Sequence, residues 1–443
     1  MRSMGRPQLP EIPRHWVGIK KDWLDTCTSL GEALVSVPLD LLKTHAYAIG
    51  ATGSGKTTAI HHFMSQDILE RHSLVVLDMR GDLVNAALEL CAGRVHPQKI
   101  KLFDLREKER PTGFNPLYGS GEPFIRALNV LDAIANESES FGVQLAETLR
   151  HSLILLAESQ EPLTNLERLL TDARYRDSLL RGSQNVPQFW ERYSELSPDK
   201  QAGYVAPVVN KVSLLFATEG LRRMLGSENP TDLGGHLNTP GTVTLISLAV
   251  DELHGAGRMM GSLFLSSICR EIFGRVGIPE RERVPVHLIV DEFENFSMKE
   301  FESIFAEGRR FGLSLFIANQ TLAQLSTKMR SLILNNVGVK LYFRTGRDDA
   351  PTLSKDLTGD LKALDLSSLE VGEAMLWHRG IQPTLIEINA PLFANTGKAS
   401  KAAIELRKIL RDMNPQPLRV ETRPEAGPVR AEFKSDETLG DWL

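Results

Sequence analysis

The sequence predicts an α/β fold with a mainly parallel central sheet and an inserted all-α domain. Short apolar runs rich in β-branched residues recur along the chain, and segments with helical periodicity separate many of them. These runs are nearly continuously apolar rather than alternating with polar residues, which is typical of parallel strands covered on both faces. One long central stretch has helical periodicity and hardly any strand pattern. Together these observations indicate a doubly wound sheet interrupted by a helical region.

Nine runs have the pattern of strands. The predicted parallel strands are residues 45–49, 74–78, 100–103, 243–248, 286–291, 313–318 and 339–343. Two further runs, 373–378 and 384–388, are separated by five residues that include Gly380 and Pro383. Glycine and proline are favoured in such connections, so this pair predicts a closing hairpin.

The chain is predicted to divide into five segments. They are an N-terminal segment (1–40), the first part of the α/β domain (41–120), the all-α insertion (121–236), the second part of the α/β domain (237–396) and a C-terminal segment (397–443). In the insertion, helices are predicted over 145–157 and, just after Pro207, over 208–216. Trp190 and Tyr193 there are predicted to lie in the core rather than to form a base-stacking platform. The last segment is expected to hold a basic helix (399–413), a proline-rich linker and a disordered acidic end.

Composition is close to that of an ordinary globular protein and excludes the disordered and fibrous classes. The 51 Lys and Arg residues against 56 Asp and Glu give a net charge of −5, so any DNA contact must come from a local patch. Cys27, Cys91 and Cys269 lie far apart and are predicted to be small buried residues in a reducing compartment. No run is long enough to span a membrane, and no secretory signal is apparent. We expect a cytoplasmic protein without direct membrane insertion, with recruitment to the inner membrane by a partner as an alternative.

The strongest motif is a phosphate-binding loop. Residues 50–57 read GATGSGKT and match GxxxxGK[ST], with a predicted strand before them and a helical run after them. Backbone N–H groups of such a loop surround phosphates, and the helix N-terminus adds its dipole. Lys56 is expected to bridge the β- and γ-phosphates of ATP, and the Thr57 hydroxyl to hold Mg²⁺. The predicted nucleotide-binding residues are Gly50, Ala51, Thr52, Gly53, Ser54, Gly55, Lys56, Thr57 and Thr58.

A pair of adjacent carboxylates ends the predicted strand 286–291. Asp291 is expected to contact Mg²⁺ through water, and Glu292 to act as general base toward the attacking water. Successive strand positions face opposite ways, which suggests how the two carboxylates divide these tasks. Glu294 is predicted to be an exposed helix residue rather than a catalytic one. The sequence has no NKxD motif, which disfavours a GTPase.

A third block, GRRFG at 308–312, precedes the predicted strand 313–318 and Gln320. Gln320, at the carboxyl end of that strand, is expected to sense the γ-phosphate. Arg309 is expected to reach across a subunit boundary and neutralise charge in the transition state. Arg310 is a weaker candidate, and both arginines are alternatively solvated cations at a helix end. Arg344 and Arg347 are reserve candidates.

The order GATGSGKTT, LVVLDMRGD, GFNPL, HLIVDEFENF, GRRFGLSLFIANQ resembles the FtsK–HerA superfamily of hexameric DNA-pumping ATPases. The chain is most similar to the type IV secretion coupling proteins of conjugation, over roughly residues 40–395. The resemblance implies a RecA-like motor domain, a homo-hexameric ring with nucleotide between neighbours, and DNA in the central channel. By the same resemblance Arg309 completes the neighbour's site and Gln320 is the sensor glutamine. Asp78, which ends the second strand, is expected to be structural, with contact to the site as the alternative.

Two departures from these families shape the expectation. Coupling proteins begin with transmembrane helices, and HerA-type proteins usually carry an N-terminal β-barrel, for which about 40 residues are too few. We therefore expect a soluble coupling-like form whose partners include a relaxase, a nuclease or a membrane-anchor protein. Its role would lie in DNA transfer, mobilisation, repair or defence. Candidate DNA contacts are Lys299, Lys328 and Arg330, with ordinary surface cations as the alternative.

The first hypothesis is therefore an ATP-hydrolysing hexameric DNA translocase. The second is a protein-remodelling or secretion-system assembly ATPase that does not grip DNA. The third is a nucleotide-gated switch with negligible turnover, which Glu292 and Arg309 argue against because a switch does not need a full hydrolytic site.

Overall fold

The computed structural model describes residues 14–20, 34–38, 41, 43–136, 141–183, 188–296, 298–359, 365–379, 381–388 and 400–415. Its framework is one eleven-stranded sheet. The strands are β1 (Arg14–Lys20), β2 (Leu34–Pro38), β3 (Ala46–Ile49), β4 (Ser73–Asp78), β5 (Ile100–Asp104), β6 (Val243–Ser247), β7 (Val286–Asp291), β8 (Leu313–Asn319), β9 (Val339–Phe343), β10 (Glu373–His378) and β11 (Thr384–Glu387). They follow the order β2-β1-β11-β10-β9-β3-β8-β7-β4-β6-β5.

Seven neighbouring strands, from β9 through β3 to β5 in that order, are all parallel. Every residue of β3, β4, β6, β8 and β9 is buried, which explains why their sequences are mostly apolar. Alternate residues of a strand face opposite sides of the sheet. Val75 and Leu77 accordingly belong to one hydrophobic core, and Leu74 and Val76 to another. The prediction of an α/β fold with a mainly parallel sheet is confirmed, and the nine predicted strands agree with the structure to within one residue at each end.

The remaining four strands are antiparallel additions to the sheet. The predicted hairpin is confirmed as β10 and β11, with Met375 opposite Leu385, and β10 also pairs with β9. None of the predicted strands lies in residues 1–40, whereas β1 and β2 do. These two strands extend the edge of the sheet beyond β11. Strand formation at an edge depends on the partner strand more than on local propensity, which is why the sequence pattern misses them.

The helices of the described residues connect these strands and cover the sheet. The α-helices are α1 (Lys56–Leu69), α2 (Asp82–Cys91), α3 (Pro123–Asn136), α4 (Val143–Glu158), α5 (Leu166–Thr171), α6 (Ala173–Gly182), α7 (Gln188–Ser194), α8 (Pro198–Val212), α9 (Glu219–Leu225), α10 (Leu233–Leu237), α11 (Val250–Leu253), α12 (Gly255–Phe273), α13 (Met298–Glu307), α14 (Thr327–Asn336), α15 (Ala350–Thr358) and α16 (Lys401–Asp412). Short 3-10 helices cover Pro97–Lys99, Leu163–Asn165, Ser213–Phe216, Gly274–Gly277, Glu280–Glu282, Phe293–Asn295, Gly308–Phe311 and Leu322–Gln324. None of these described helices combines the length and apolar character needed to cross a membrane.

Between β5 and β6 the described residues form helices, from α3 to α10, and no strand. These helices share one core with a face of the sheet, since Leu149 and Trp190 belong to the same cluster as Phe103. Trp190 and Tyr193 are each 1% exposed, so the prediction that they are core residues is confirmed. The predicted helix start after Pro207 is wrong: α8 begins at Pro198 and runs through Pro207. A proline inside a helix removes one N–H, and here the helix continues beyond it. The domain boundaries at 121 and 236 stay a prediction.

The C-terminal helix α16 packs beside α2. Arg407 donates hydrogen bonds to Asp104 and, at 2.8 Å, to Asn85 Oδ1. The predicted basic helix is thus present, whereas the acidic end of the last segment lies outside the described residues. Cys91 and Cys269 are buried free thiols, and burial raises the pKa of Cys91 to about 12. Cys27 lies outside the described residues.

Candidate nucleotide-binding site

The phosphate loop connects β3 to α1, which begins at Lys56. Gly53 and Gly55 have φ angles of +74° and +115°, in the region where side chains are strained. A Cβ atom on Gly50 would lie 2.5 Å from Cβ of Phe343, so only glycine fits there. The glycines of the motif are therefore required by this backbone path.

Two other segments hold the loop in place. The Ala51 N–H donates to the Arg344 carbonyl at 2.8 Å, and the Gly372 N–H donates to the Ser54 carbonyl at 3.0 Å. Arg344 directly follows β9, and Gly372 directly precedes β10. The sequence analysis did not identify these contacts, because they join residues about 300 positions apart. Together they fix the loop before any ligand arrives.

Lys56 is 8% exposed and points into its own loop. Its Nζ donates to the Gly50 carbonyl at 2.5 Å and to the Ala51 carbonyl at 3.1 Å. Burial lowers the pKa of Lys56, while the charges of Asp291 and two neighbouring glutamates oppose that shift. Thr57, in the first turn of α1, is exposed. The loop thus presents a buried cation beside an accessible hydroxyl.

Asp291 ends β7, which lies between β4 and β8. One of its oxygens accepts the Glu292 N–H at 2.9 Å. Burial raises the pKa of Asp291 to about 6, the Glu292 charge adds to the increase, and the Lys56 charge opposes it. The structure therefore brings Asp291 into the electrostatic environment of Lys56, as the two motifs predict.

Glu292 lies outside the strand and has a left-handed backbone, with φ of +51°. The alternation of strand side chains therefore does not explain how the two carboxylates differ, contrary to the sequence prediction. Its carboxylate lies 3.4 Å from the guanidinium of Arg80, whose side chain is 65% exposed. An ion pair this exposed contributes little to stability. Glu292 is thus available at the edge of the sheet.

Glu294 departs from its prediction as an exposed helix residue. It is half-buried in the 3-10 turn Phe293–Asn295, because the chain turns after Glu292 and α13 does not begin until Met298. Burial, reinforced by the charges of Glu292 and Asp291, raises the pKa of Glu294 to about 7. Its Oε1 accepts the Gln324 amide N–H at 2.6 Å. Its Oε2 is buried and has no hydrogen-bond partner among the described residues.

Gln320 lies next to the phosphate loop. It follows β8, which is parallel and adjacent to β3, so both strands end at the same edge of the sheet. The Thr52 hydroxyl donates a hydrogen bond of 3.1 Å to Gln320 Oε1. The structure thus joins the predicted sensor to the predicted phosphate site.

The candidate arginines lie at opposite ends of the parallel strands. Arg309 and Arg310 are exposed in the turn before β8, which is the edge opposite the phosphate loop. Arg344 and Arg347 follow β9 and lie at the same edge as the loop. The structure therefore does not bring Arg309 to the phosphate loop of its own chain.

Asp78 ends β4 and is 5% exposed. Its carboxylate accepts the Arg80 N–H at 2.9 Å and the Val84 N–H at 3.0 Å. It therefore satisfies donors at the start of α2, in line with the expected structural role. Its charge also contributes to the raised pKa of Asp291.

The three candidate DNA contacts all have local partners. Lys299 pairs with Asp132, and Lys328 lies 2.6 Å from a Glu302 oxygen. Arg330 donates to the Leu322 carbonyl at 2.8 Å. A phosphate that bound these cations would compete with those partners.

Two family models match the chain. One, described as the central domain of the helicase HerA, matches residues 28–255. The other, described as the TraM recognition site of TraD and TraG, matches residues 285–362. The phosphate loop lies in the first match, and Asp291, Arg309 and Gln320 lie in the second.

Similar proteins include DNA repair and conjugation proteins. The DNA double-strand break repair helicase HerA of Sulfolobus acidocaldarius is 23% identical over 415 residues, covering 87% of this chain and 74% of the relative. HerA of Sulfurisphaera tokodaii is 19% identical over 376 residues, covering 80% of this chain and 66% of the relative. The plasmid coupling protein TrwB, solved with ADP and Mg²⁺, has a TM-score of 0.59 at 15% identity, covering 88% of this chain and 98% of TrwB. At that identity the likeness shows a shared fold.

Proposed function

Because the chain belongs to the family of the HerA helicase central domain, within the FtsK–HerA P-loop ATPases, we propose that it is an ATP-hydrolysing DNA translocase acting as a hexamer. One observation carries the proposal. The phosphate loop, the acidic pair and Gln320 meet at one edge of the sheet, whereas Arg309 lies at the other. This arrangement has the parts of a hydrolytic site that a second subunit completes.

The residues present fit a nucleotide with Mg²⁺. Gly50 leaves no room for a side chain, and Ser54 Oγ is buried without a partner among the described residues. In the proposed site, residues 50–58 bind the phosphates, and Lys56 contacts the β- and γ-phosphates in place of its loop carbonyls. The Thr57 hydroxyl and Asp291 have the oxygen ligands that Mg²⁺ prefers. When bound, Mg²⁺ supplies charge neutralisation on the phosphates. The structure of TrwB has been solved in complex with ADP and Mg²⁺.

The hydrolytic roles follow from position. Glu292 accepts a proton from the attacking water as general base, since it is accessible beside the loop and, among the described residues, its carboxylate pairs with the exposed Arg80. Gln320, bonded to Thr52, responds to the presence of the γ-phosphate. Arg309 of a neighbouring subunit stabilises the transferring phosphoryl group. We propose a ring because, in an isolated subunit, the phosphate loop would lack Arg309.

DNA as the substrate is supported by the descriptions of the relatives. HerA is described as a DNA break repair helicase and TrwB as a plasmid coupling protein. The match to a model described as the TraM recognition site of TraD and TraG supports a coupling-like role with a protein partner. We propose a relaxase, a nuclease or a membrane-anchor protein as that partner. Residues 320–324, the Gln320 turn, are followed closely by α14, which carries Lys328 and Arg330. A shift of that turn would therefore reach both cations. We place the protein in the cytoplasm.

One observation favours the second candidate, an ATPase that remodels or secretes protein. The carboxylates of Asp132 and Glu302 neutralise Lys299 and Lys328 locally, which weakens both as DNA contacts. A DNA-binding titration separates the candidates. We expect sequence-independent binding of DNA by the nucleotide-bound protein, weakening steeply as salt rises. Mass measurement of the same samples should show six subunits. Absence of DNA binding at low salt would favour the protein-remodelling candidate.

A further inference from the structure

A continuous series of hydrogen bonds joins the phosphate loop to Glu294. Thr52 donates to Gln320 Oε1 at 3.1 Å. The backbone N–H groups of Gln320 and Thr321 both donate to Gln324 Oε1, at 3.1 and 2.9 Å. The Gln324 amide nitrogen donates to Glu294 Oε1 at 2.6 Å. The predicted sensor is therefore connected to the segment that follows the acidic pair.

The chemistry of the amide group fixes the direction of this series. The two backbone N–H groups require an acceptor, so the Gln324 oxygen must face them. Its nitrogen must then face Glu294, where it needs an acceptor in turn. Gln324 also completes a capping box with Thr321 at the start of the turn Leu322–Gln324. A side chain at position 324 thus needs an acceptor for the two backbone N–H groups and a donor for Glu294.

Glu294 also acts on the other end of the site. The Glu294 carboxylate is one of three whose negative charge raises the pKa of Lys56 and so favours its charged form. One of its oxygens is bonded to Gln324, while the other is buried without a partner among the described residues. Buried polar atoms are normally hydrogen-bonded, and exceptions call for an explanation. The hydrogen bond with Gln324 is thus the one that the described residues give to the Glu294 carboxylate.

The opposite side of the same turn is anchored separately. The Leu322 N–H donates to Asp349 at 2.9 Å, and Arg330 donates to the Leu322 carbonyl at 2.8 Å. Among the hydrogen bonds of the described residues, the one with Glu294 connects the turn to the segment that follows Asp291. It therefore gives the turn and the acidic pair a route by which they can influence each other.

We propose that Glu294 is a positioning residue that holds Gln324, and through it the Gln320 turn, against the phosphate loop. Loss of the γ-phosphate at Gln320 is thereby transmitted to the acidic pair. This inference rests on the proposed ATPase function. Glu294 is given no role in proton transfer, since Glu292 holds that position.

Four variants test this role by steady-state ATP hydrolysis. Glu294→Ala removes the acceptor and should lower kcat about fivefold while KM changes little. Glu294→Gln keeps an oxygen acceptor and should stay close to the wild type. Gln324→Glu keeps the acceptor for the turn but sets two carboxylates against each other, so it should be as defective as Glu294→Ala. Combining Glu294→Gln with Gln324→Glu restores a donor and acceptor pair and should recover activity.

Matched controls separate this role from general loss of structure. Glu195→Ala removes an exposed carboxylate just after α7 and should leave kcat unchanged. Thermal unfolding of each variant checks the fold, and the double variant serves if Glu294→Ala does not fold. Equal defects in Glu294→Gln and Glu294→Ala without recovery in the double variant would overturn the proposal, as would a normal kcat in Glu294→Ala.

Nucleotide binding makes the test independent of hydrolysis. The ratio of affinities for a non-hydrolysable ATP analogue and for ADP should fall about fivefold in Glu294→Ala and recover in the double variant. If the wild type binds nucleotide but does not hydrolyse it, the proposed function fails, and this ratio still decides the role of Glu294. An unchanged ratio in all variants would overturn it.

Discussion

Arg309 and Lys56 lie beyond opposite ends of two neighbouring parallel strands, β8 and β3. Lys56 follows the carboxyl end of β3, and Arg309 precedes the amino end of β8. The seven residues of β8 alone span roughly 23 Å, which an arginine side chain does not bridge. Gly308, next to Arg309, instead approaches His45, just before β3 begins. If Arg309 assists hydrolysis, it therefore does so at a neighbour's phosphate loop.

Mixed rings test this arrangement. Arg309→Ala and Lys56→Ala should each be inactive alone, because each removes one half of every site. In an equal random mixture, roughly a quarter of the interfaces combine an intact Lys56 with an intact Arg309, so partial turnover should return. Arg310→Ala, on the same exposed turn, is the matched control and should remain active. Lack of recovery after subunit exchange has been verified would contradict the assignment of Arg309.

Replacing Glu292 tests the general base. Glu292→Gln keeps the size and polarity of the side chain but cannot accept the proton, so hydrolysis should fall by about 10²–10⁴-fold. ATP binding should persist, because the phosphate loop is untouched. Single-turnover hydrolysis and nucleotide binding are the measurements. Retained turnover would remove Glu292 as base, and Glu294→Gln under the same conditions shows which of the two carboxylates matters.

Two glycines of the phosphate loop form a matched pair for mutation. Gly55 has a φ of +115°, and a Cβ there would lie 3.2 Å from Cα of Gly372. A Cβ on Gly53 would meet nothing within 4 Å, although its φ of +74° is also left-handed. Gly55→Ala should weaken nucleotide binding about tenfold, since an alanine there requires the loop to shift, whereas Gly53→Ala carries only the backbone cost of about 1 kcal/mol. Nucleotide titrations measure both, and equal effects would contradict the importance of the Gly372 contact.

His45 predicts a loss of stability in acid. It is buried, its Nδ1 accepts the Leu315 N–H at 3.1 Å, and burial lowers its pKa to about 4. Because the folded pKa lies below the unfolded value of about 6.5, this stabilisation is complete above pH 6.5 and is lost as the pH falls toward 4. His45→Asn keeps an acceptor and suits the positive φ of 66°, but does not titrate in this range.

Urea unfolding of the two proteins at pH 7.5 and pH 5 measures this effect. The free energy of unfolding should drop by about 2 kcal/mol more in the wild type than in His45→Asn. The half-buried histidines His61 and His236, whose pKa values are also lowered to about 4, remain in both proteins and cancel in the comparison. Parallel pH profiles would show that His45 does not carry this dependence.

The sequence pattern predicts the parts of the site that local motifs encode. The loop at 50–57, the carboxylates that end β7 and the glutamine after β8 each follow a buried strand, and parallel strands bring their carboxyl ends to one edge. Burial also explains why the predicted parallel strands agree with the structure, since strands that are mostly buried have mostly apolar sequences.

Contacts between distant segments are what the pattern does not predict. The position of Glu294 depends on the left-handed backbone of Glu292, and its partner Gln324 lies in another connection. The Arg344 contact that supports the loop is made by a backbone carbonyl, so it cannot be read from the type of residue at that position. The strands β1 and β2 exist through pairing with β11 and each other. Such features depend on tertiary structure rather than on local propensity.

The most direct test of the central claim is steady-state ATP hydrolysis without DNA, with single-stranded DNA and with double-stranded DNA. Lys56→Ala provides the blank, since it lacks the cation that contacts the phosphates. The proposed function predicts that one form of DNA strongly stimulates turnover. Turnover that is indifferent to both forms, with no DNA binding at low salt, would contradict a DNA translocase and favour an ATPase that acts on protein.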